Sequence, residues 1–145
     1  MKGLLTNIEK ETVANKKFRR VMYTSANFQL VKMSLKPGES IGKESHPVDQ
    51  FFRVEKGSGE ITMGDKTHSF KDGDAAVIPA GMEHDVRNAG TEDLKLYSIY
   101  SPPKHLDGTV HDTKADADGD EEEFDGETTE QDTTKKDVLK KIINK

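Results

Sequence analysis

The chain has 145 residues, a net charge of −5, and 34% charged against 32% hydrophobic residues, which suits one domain with part of the chain left outside its core. Cysteine is absent, which excludes disulfides, thiolate metal ligands and thiol catalysis. The longest apolar run, residues 75–80, is far short of the roughly 20 residues of a membrane helix, and the start MKGLLTNIEK lacks a signal-peptide core, so a soluble, cytoplasmic protein without membrane contact is expected.

Residues 1–20 show no clear period, although Thr6 and Glu9 offer a weak capping pair for a helical turn. From Phe28 onward the pattern changes. Val31, Met33 and Leu35 alternate with Lys32 and Ser34, which predicts a strand with one buried face. Turn chemistry follows at Lys36-Pro37-Gly38. Gln50, Phe52 and Val54 share one strand face, and Ile61 and Met63 share another. Residues 75–78 form a short apolar strand. His84, Val86 and Asn88 share a face, and residues 94–100 make the last clear strand before Ser101-Pro102-Pro103. Short strands at close spacing, punctuated by glycine turns and with no helices between them, argue for an all-β barrel or sandwich.

The composition shifts after Pro103. Residues 104–132 carry 12 Asp and Glu against 2 Lys, few aliphatics and no sustained period, which predicts an acidic flexible arm. The rest of the chain is mildly positive but has no basic cluster interleaved with aromatics, so no nucleic-acid partner is expected. In 133–145, Val138, Leu139, Ile142 and Ile143 stand at the spacing of a short amphipathic helix. The expected organisation is therefore an N-terminal segment 1–27 packed on a barrel 28–103, then the arm 104–132 and the terminal helix.

Four polar residues can converge inside such a barrel. Glu44 and His46 are two apart and share a side of an extended strand. Gln50 lies on the face of Phe52, and His84 on the face of Val86. Two imidazoles, one carboxylate and an amide oxygen with open positions suit one divalent transition metal: Fe(II), Mn(II), Ni(II) or Co(II), with Zn(II) also open. A barrel with a vestigial, metal-free pocket is the alternative.

The spacings Gly38-x5-Glu44-x-His46-x3-Gln50-x6-Gly57 and Gly73-x5-Pro79-x-Gly81-x2-His84-x3-Asn88 resemble the two motifs of the cupin superfamily, and the second match is complete. The resemblance covers roughly residues 30–103 and implies a jelly-roll barrel, the double-stranded β-helix. The flanks are similar to a small single-domain group often labelled mannose-6-phosphate isomerase-like. In the first motif the family has His where Glu44 stands and Glu where Gln50 stands. The double change keeps one carboxylate and favours harder metals.

Arg53 is expected outside the barrel, and His68 faces solvent. His105 and His111 are expected to be exposed loop histidines, with a return over the barrel mouth as the alternative. Tyr97 and Tyr100 lie on opposite faces of one strand, so one can reach the pocket as a proton donor. Tyr97, Tyr100 and His111 are thus the candidate catalytic groups. Asp116, Asp118, Asp120 and Glu127 imitate a calcium loop, but Glu121 occupies the required glycine position, so calcium is not expected. The expected function is a metal-dependent oxygenase, isomerase or lyase acting on a small polar metabolite. The alternative is a non-catalytic module that binds a metal or a small, sugar-like ligand. A homodimer is the expected assembly.

Overall fold

The computed structural model describes residues 2–131. Helix α1 (Ile8–Ala14) precedes nine strands: β1 (Arg19–Thr24), β2 (Gln29–Leu35), β3 (Asp49–Lys56), β4 (Ser58–Met63), β5 (Lys66–Lys71), β6 (Ala75–Ile78), β7 (His84–Arg87), β8 (Leu94–Ser101) and β9 (Val110–His111), followed by α2 (Lys114–Asp118). All pairings between these strands are antiparallel. They form a six-stranded sheet in the order β6-β3-β8-β2-β1-β9 and a three-stranded sheet in the order β5-β4-β7. Residues 38–44 extend the small sheet beyond β7 through isolated bridges at Ser40–Arg87 and Glu44–His84.

The inner faces meet in one core that includes Val31, Met33, Leu35, Phe52, Val54, Ile61, Ile78, Val86, Leu94 and Leu96. Period-2 alternation places these residues inward from both sheets. Gly57 turns β3 into β4 at φ 95°, and a Cβ there would stand 3.0 Å from the Asp93 carbonyl oxygen. This motif glycine therefore answers both a left-handed backbone and a close approach.

Gly59, on β4, is closer still. A Cβ would overlap the Arg87 carbonyl oxygen of β7 and lie 2.6 Å from Cζ of Phe70. Gly59→Ala must push apart the sheet that carries His84. It is expected to lower stability by about 2 kcal/mol or more, read as a fall in the urea midpoint at unchanged m. An unchanged midpoint would refute this packing.

Four expectations change. Lys32 and Ser34 are buried, at 7% and 8% exposure, because the N-terminal segment covers the outer face of β2 and β8. Lys32 meets Glu11 at 3.2 Å, and Lys95 Nζ donates to the Asn15 carbonyl at 2.6 Å and to Ser34 Oγ at 2.8 Å. The cap of α1 is Asn7, whose side chain accepts from the Lys10 N–H, rather than Thr6. The barrel does not start at residue 28, since β1 pairs with both β2 and β9.

The fourth concerns the acidic arm, which is laid against the barrel. It holds β9 and α2, the Thr129 N–H reaches the Thr24 carbonyl at 2.9 Å, and Glu130 accepts from the Tyr23 hydroxyl at 2.9 Å. Composition predicted a free arm because charge-rich, aliphatic-poor sequence has little apolar area to bury. Here a few carboxylates find buried or half-buried donors instead. The amphipathic helix expected in 133–145 lies outside the described residues.

Candidate metal centre

The cross-strand pair Glu44–His84 starts the site. Each residue's N–H meets the other's carbonyl at 2.9 Å, so their side chains leave the backbone from adjacent positions. His46 lies two residues beyond Glu44. One ligand atom from each of Glu44, His46 and His84 falls within 4.8 Å of the others. Gln50 enters from the six-stranded sheet, with Oε1 3.2 Å from Nε2 of His46. All four residues named by the motif spacing therefore meet.

The hydrogen bonds around them decide the chemistry. His84 Nδ1 lies 2.8 Å from the Met82 carbonyl and His46 Nδ1 lies 3.2 Å from the Val48 carbonyl. A carbonyl only accepts, so both Nδ1 atoms carry the proton and both Nε2 atoms are lone pairs in the neutral rings. Burial, and then the charges of Lys104 and His84, hold His46 below the usual histidine range, which favours its neutral form. The Gln50 amide N–H2 is turned to Ser98 Oγ at 3.1 Å, which leaves its oxygen facing His46. His84 Nε2 is buried without a partner.

In the neutral rings, two imidazole lone pairs thus converge with an amide oxygen and the Glu44 carboxyl group. A divalent cation satisfies such a set. Two ligand atoms about 2.1 Å from one ion and at right angles lie about 3 Å apart, close to the His46–Gln50 separation. The donor set fits the group that the motifs imply.

The candidate catalytic residues divide. Tyr100 is inward and buried, its ring 5.8 Å from that of His46 at an interplanar angle of 78°. Burial pushes its hydroxyl up to about 12, so the group keeps its proton at neutral pH. Tyr97 faces outward, its ring 6.4 Å from Phe51, and does not enter the pocket. His111 is buried, but its nitrogens are engaged by Arg19 at 3.2 Å and Asp120 at 2.9 Å, away from the triad. Arg53 pairs with Glu55 outside the barrel, and His68 is exposed, as expected.

His105 overturns its expected exposure, being 2% exposed. Its ring packs against Tyr100 at 5.3 Å, and Nδ1 meets Glu122 Oε1 at 2.6 Å. Burial pushes His105 down to about 4, outweighing the carboxylate. Burial alone would raise Glu122, but the His105 and Leu106 hydrogen bonds leave it below its ordinary range. The folded pair therefore binds fewer protons than the unfolded chain between about pH 4 and 6.5. Stability is expected to fall by about 2–3 kcal/mol as pH drops through that window. Urea unfolding should show a steeper acid loss for the wild type than for His105→Gln, and parallel pH profiles would refute it.

Sequence reasoning missed Lys104, whose Nζ stands 3.9 Å from Glu44 Oε2 and 6.0 Å from the centre of the Tyr100 ring. It also missed the wall opposite. A cleft of about 940 Å³ opens over Glu44 and His46, bordered by Pro103, Lys104 and the acidic residues 121–123. No local signal marks these residues, because chain reversal after Pro103 brings them in.

Comparison with known proteins agrees with this architecture. The cupin domain model matches residues 31–100. The chain is 50% identical over 123 residues to the uncharacterized protein YrkC of Bacillus subtilis (strain 168), covering 80% of this chain and 66% of the relative, so it spans about two thirds of that protein. The crystal structure of BH2720 from Bacillus halodurans superposes with a TM-score of 0.80 at 48% identity, covering 81% of this chain and 94% of that one. A predicted oxalate decarboxylase from Thermotoga maritima gives a TM-score of 0.50 at 25% identity, over 52% and 67% of the two chains. The protein is a small β-barrel with a group of side chains able to hold a divalent ion. It belongs to the cupin family. Among the described residues no helix is long and apolar enough to cross a membrane.

Proposed function

We propose that the protein is a metal-dependent cupin enzyme that holds one divalent transition metal through Glu44, His46, Gln50 and His84 and acts on a small polar metabolite. The observation that carries this is the buried, unpartnered Nε2 of His84, aimed at the ligand atoms of Glu44 and His46. A buried acceptor without a partner costs about 1–3 kcal/mol, and a cation removes that cost. When bound, such an ion supplies Lewis acidity toward ligand oxygens or activates dioxygen.

The chain's own groups do the rest. Lys104 brings an ammonium to the cleft beside Glu44, placed to receive an anionic or hydroxyl oxygen of the ligand. Pro103 and Phe124 add apolar lining to the cleft. Tyr100 braces the His46 ring from behind. Its position also favours a second reading, a non-catalytic metal or small-ligand binding module. The Tyr100 hydroxyl is turned toward Ser98, and its side chain is not among those lining the cleft.

Elemental analysis of purified or reconstituted protein tests the metal. One first-row ion per chain is expected, and a protein that takes up none ends the proposal. Proton NMR of the manganese-loaded protein with hydroxy acids, keto acids and sugars separates the two readings. New product resonances support the enzyme, whereas line broadening without product supports the binding module.

A further inference from the structure

The acidic stretch after α2 does more than return along the barrel. Glu122 enters a socket of two donors, His105 Nδ1 at 2.6 Å and the Leu106 N–H at 2.7 Å, beside the Thr109 hydroxyl, which donates to the Leu106 carbonyl at 2.6 Å. Two residues on, the Phe124 N–H bonds the Lys104 carbonyl at 3.0 Å. These contacts stretch residues 121–124 along the loop that carries Lys104. Glu121 and Glu123, both exposed, thereby border the same cleft as Glu44 and His46. Among the described side chains lining it, four carboxylates stand against one ammonium.

We infer that residues 121–124 are the outer wall of the metal cleft, that Glu122 is the positioning residue that holds them there, and that Glu121 and Glu123 make the cleft select against multiply charged anions. The inference rests on the metal reading above. A bound divalent cation and the Lys104 ammonium bring three positive charges against the four carboxylates, so one negative charge remains in excess, and the exposed Glu121 and Glu123 place it at the entrance. Their field acts within a Debye length of about 8 Å at physiological salt, and the low-dielectric walls of a cleft focus it. The ligand class that passes is a neutral or singly charged polar molecule whose hydroxyl or ammonium hydrogens can be donated to these carboxylates. Both ends of the cleft then contribute: a lone-pair floor that holds the ion, and a carboxylate wall that reads the far side of the ligand.

Metal removal from the cobalt-loaded full chain tests this without a known substrate. The second-order rate of cobalt loss is measured with EDTA, a multiply charged anion, and with phenanthroline, which is neutral. In the double variant Glu121→Gln, Glu123→Gln the Glu122 latch is intact. EDTA should strip cobalt about tenfold faster than from the wild type, the scale of electrostatic steering, while the phenanthroline rate holds. In Glu122→Ala both rates should rise, because the wall itself is released, and the cobalt d–d bands should shift as His105 loses its partner and Tyr100 moves against His46. An EDTA-to-phenanthroline ratio unchanged in the double variant overturns the selectivity. Wild-type rates and bands in Glu122→Ala overturn the latch. A wild-type chain that takes up no cobalt overturns the metal reading itself, a different failure from either of these.

Discussion

Replacing His84 by leucine is expected to abolish stoichiometric metal binding and, in the metal-free protein, to leave stability unchanged or raise it. The two halves come from one atom. Nε2 of His84 is buried with no partner, so the metal-free fold carries an unpaired acceptor, and an apolar side chain of similar size removes it. The Nδ1 bond to Met82 is lost as well, but Met82 is exposed and water can replace it. With metal present the order reverses. The wild type gains about 2.7 kcal/mol at a free metal concentration 100 times Kd, and the variant gains nothing. Even groups that only orient metal ligands are worth about 10–100-fold in affinity, so loss of a ligand should exceed the upper end. Calorimetric titration with cobalt, together with urea unfolding with and without metal, checks both halves. A variant that binds metal like the wild type removes His84 from the site. A metal-free variant that is clearly destabilised shows that the imidazole has a packing role instead.

The legible part of this protein was whatever depends on local period and local spacing. Alternation at Val31, Met33 and Leu35 and at Gln50, Phe52 and Val54 places those residues inward as read, because a strand has only two faces. The motif spacing brings Glu44, His46, Gln50 and His84 together, since the cross-strand bridge of Glu44 and His84 follows from how residues 38–44 extend the sheet. Asn88 shows why the second motif ends as it does. Fully buried, it bonds the Leu35 and Glu92 carbonyls and accepts from the Gly90 N–H, which clamps the turn after β7.

What could not be read depends on distant partners. β1 hides its strand character because Arg19 faces inward, where an apolar residue would have completed the alternation with Val21. His105 and His111 look like ordinary loop histidines until Glu122 and Asp120 come back from residues 120–122 to meet them. Charge density in the arm argued for solvation, yet a single carboxylate such as Glu122, placed among donors, outweighs a composition average. The convergence of Glu44, His46, Gln50 and His84 was thus visible in the sequence, and the wall facing it was not.

Gln29 belongs to that second group, and its removal should be the costliest change away from the metal. It starts β2 with nothing local to distinguish it, and it is fully buried. Its amide nitrogen donates to Thr24 Oγ1 at 3.0 Å and to the His105 carbonyl at 2.8 Å. Its oxygen accepts from the N–H groups of Lys104 at 3.3 Å and His105 at 2.9 Å. One side chain therefore closes the backbone of the loop that carries the cleft lysine and the Glu122 socket. Gln29→Leu keeps the volume but leaves at least the N–H and carbonyl of His105 unpaired in the interior. At about 1–3 kcal/mol for each orphaned group, the loss should reach about 3 kcal/mol or more, against a typical total of about 5–15 kcal/mol. Urea unfolding of the metal-free protein measures it. If the loop is held as the hydrogen bonds imply, the cobalt-loaded variant should also lose its metal faster to both EDTA and phenanthroline, because the wall is anchored to the same residues. A loss of less than about 1 kcal/mol, the scale of one ordinary hydrogen bond, would mean that the Tyr100–His105–Glu122 packing holds the loop without Gln29. In that case the route from β2 to the cleft would run through ring stacking rather than through the buried amide.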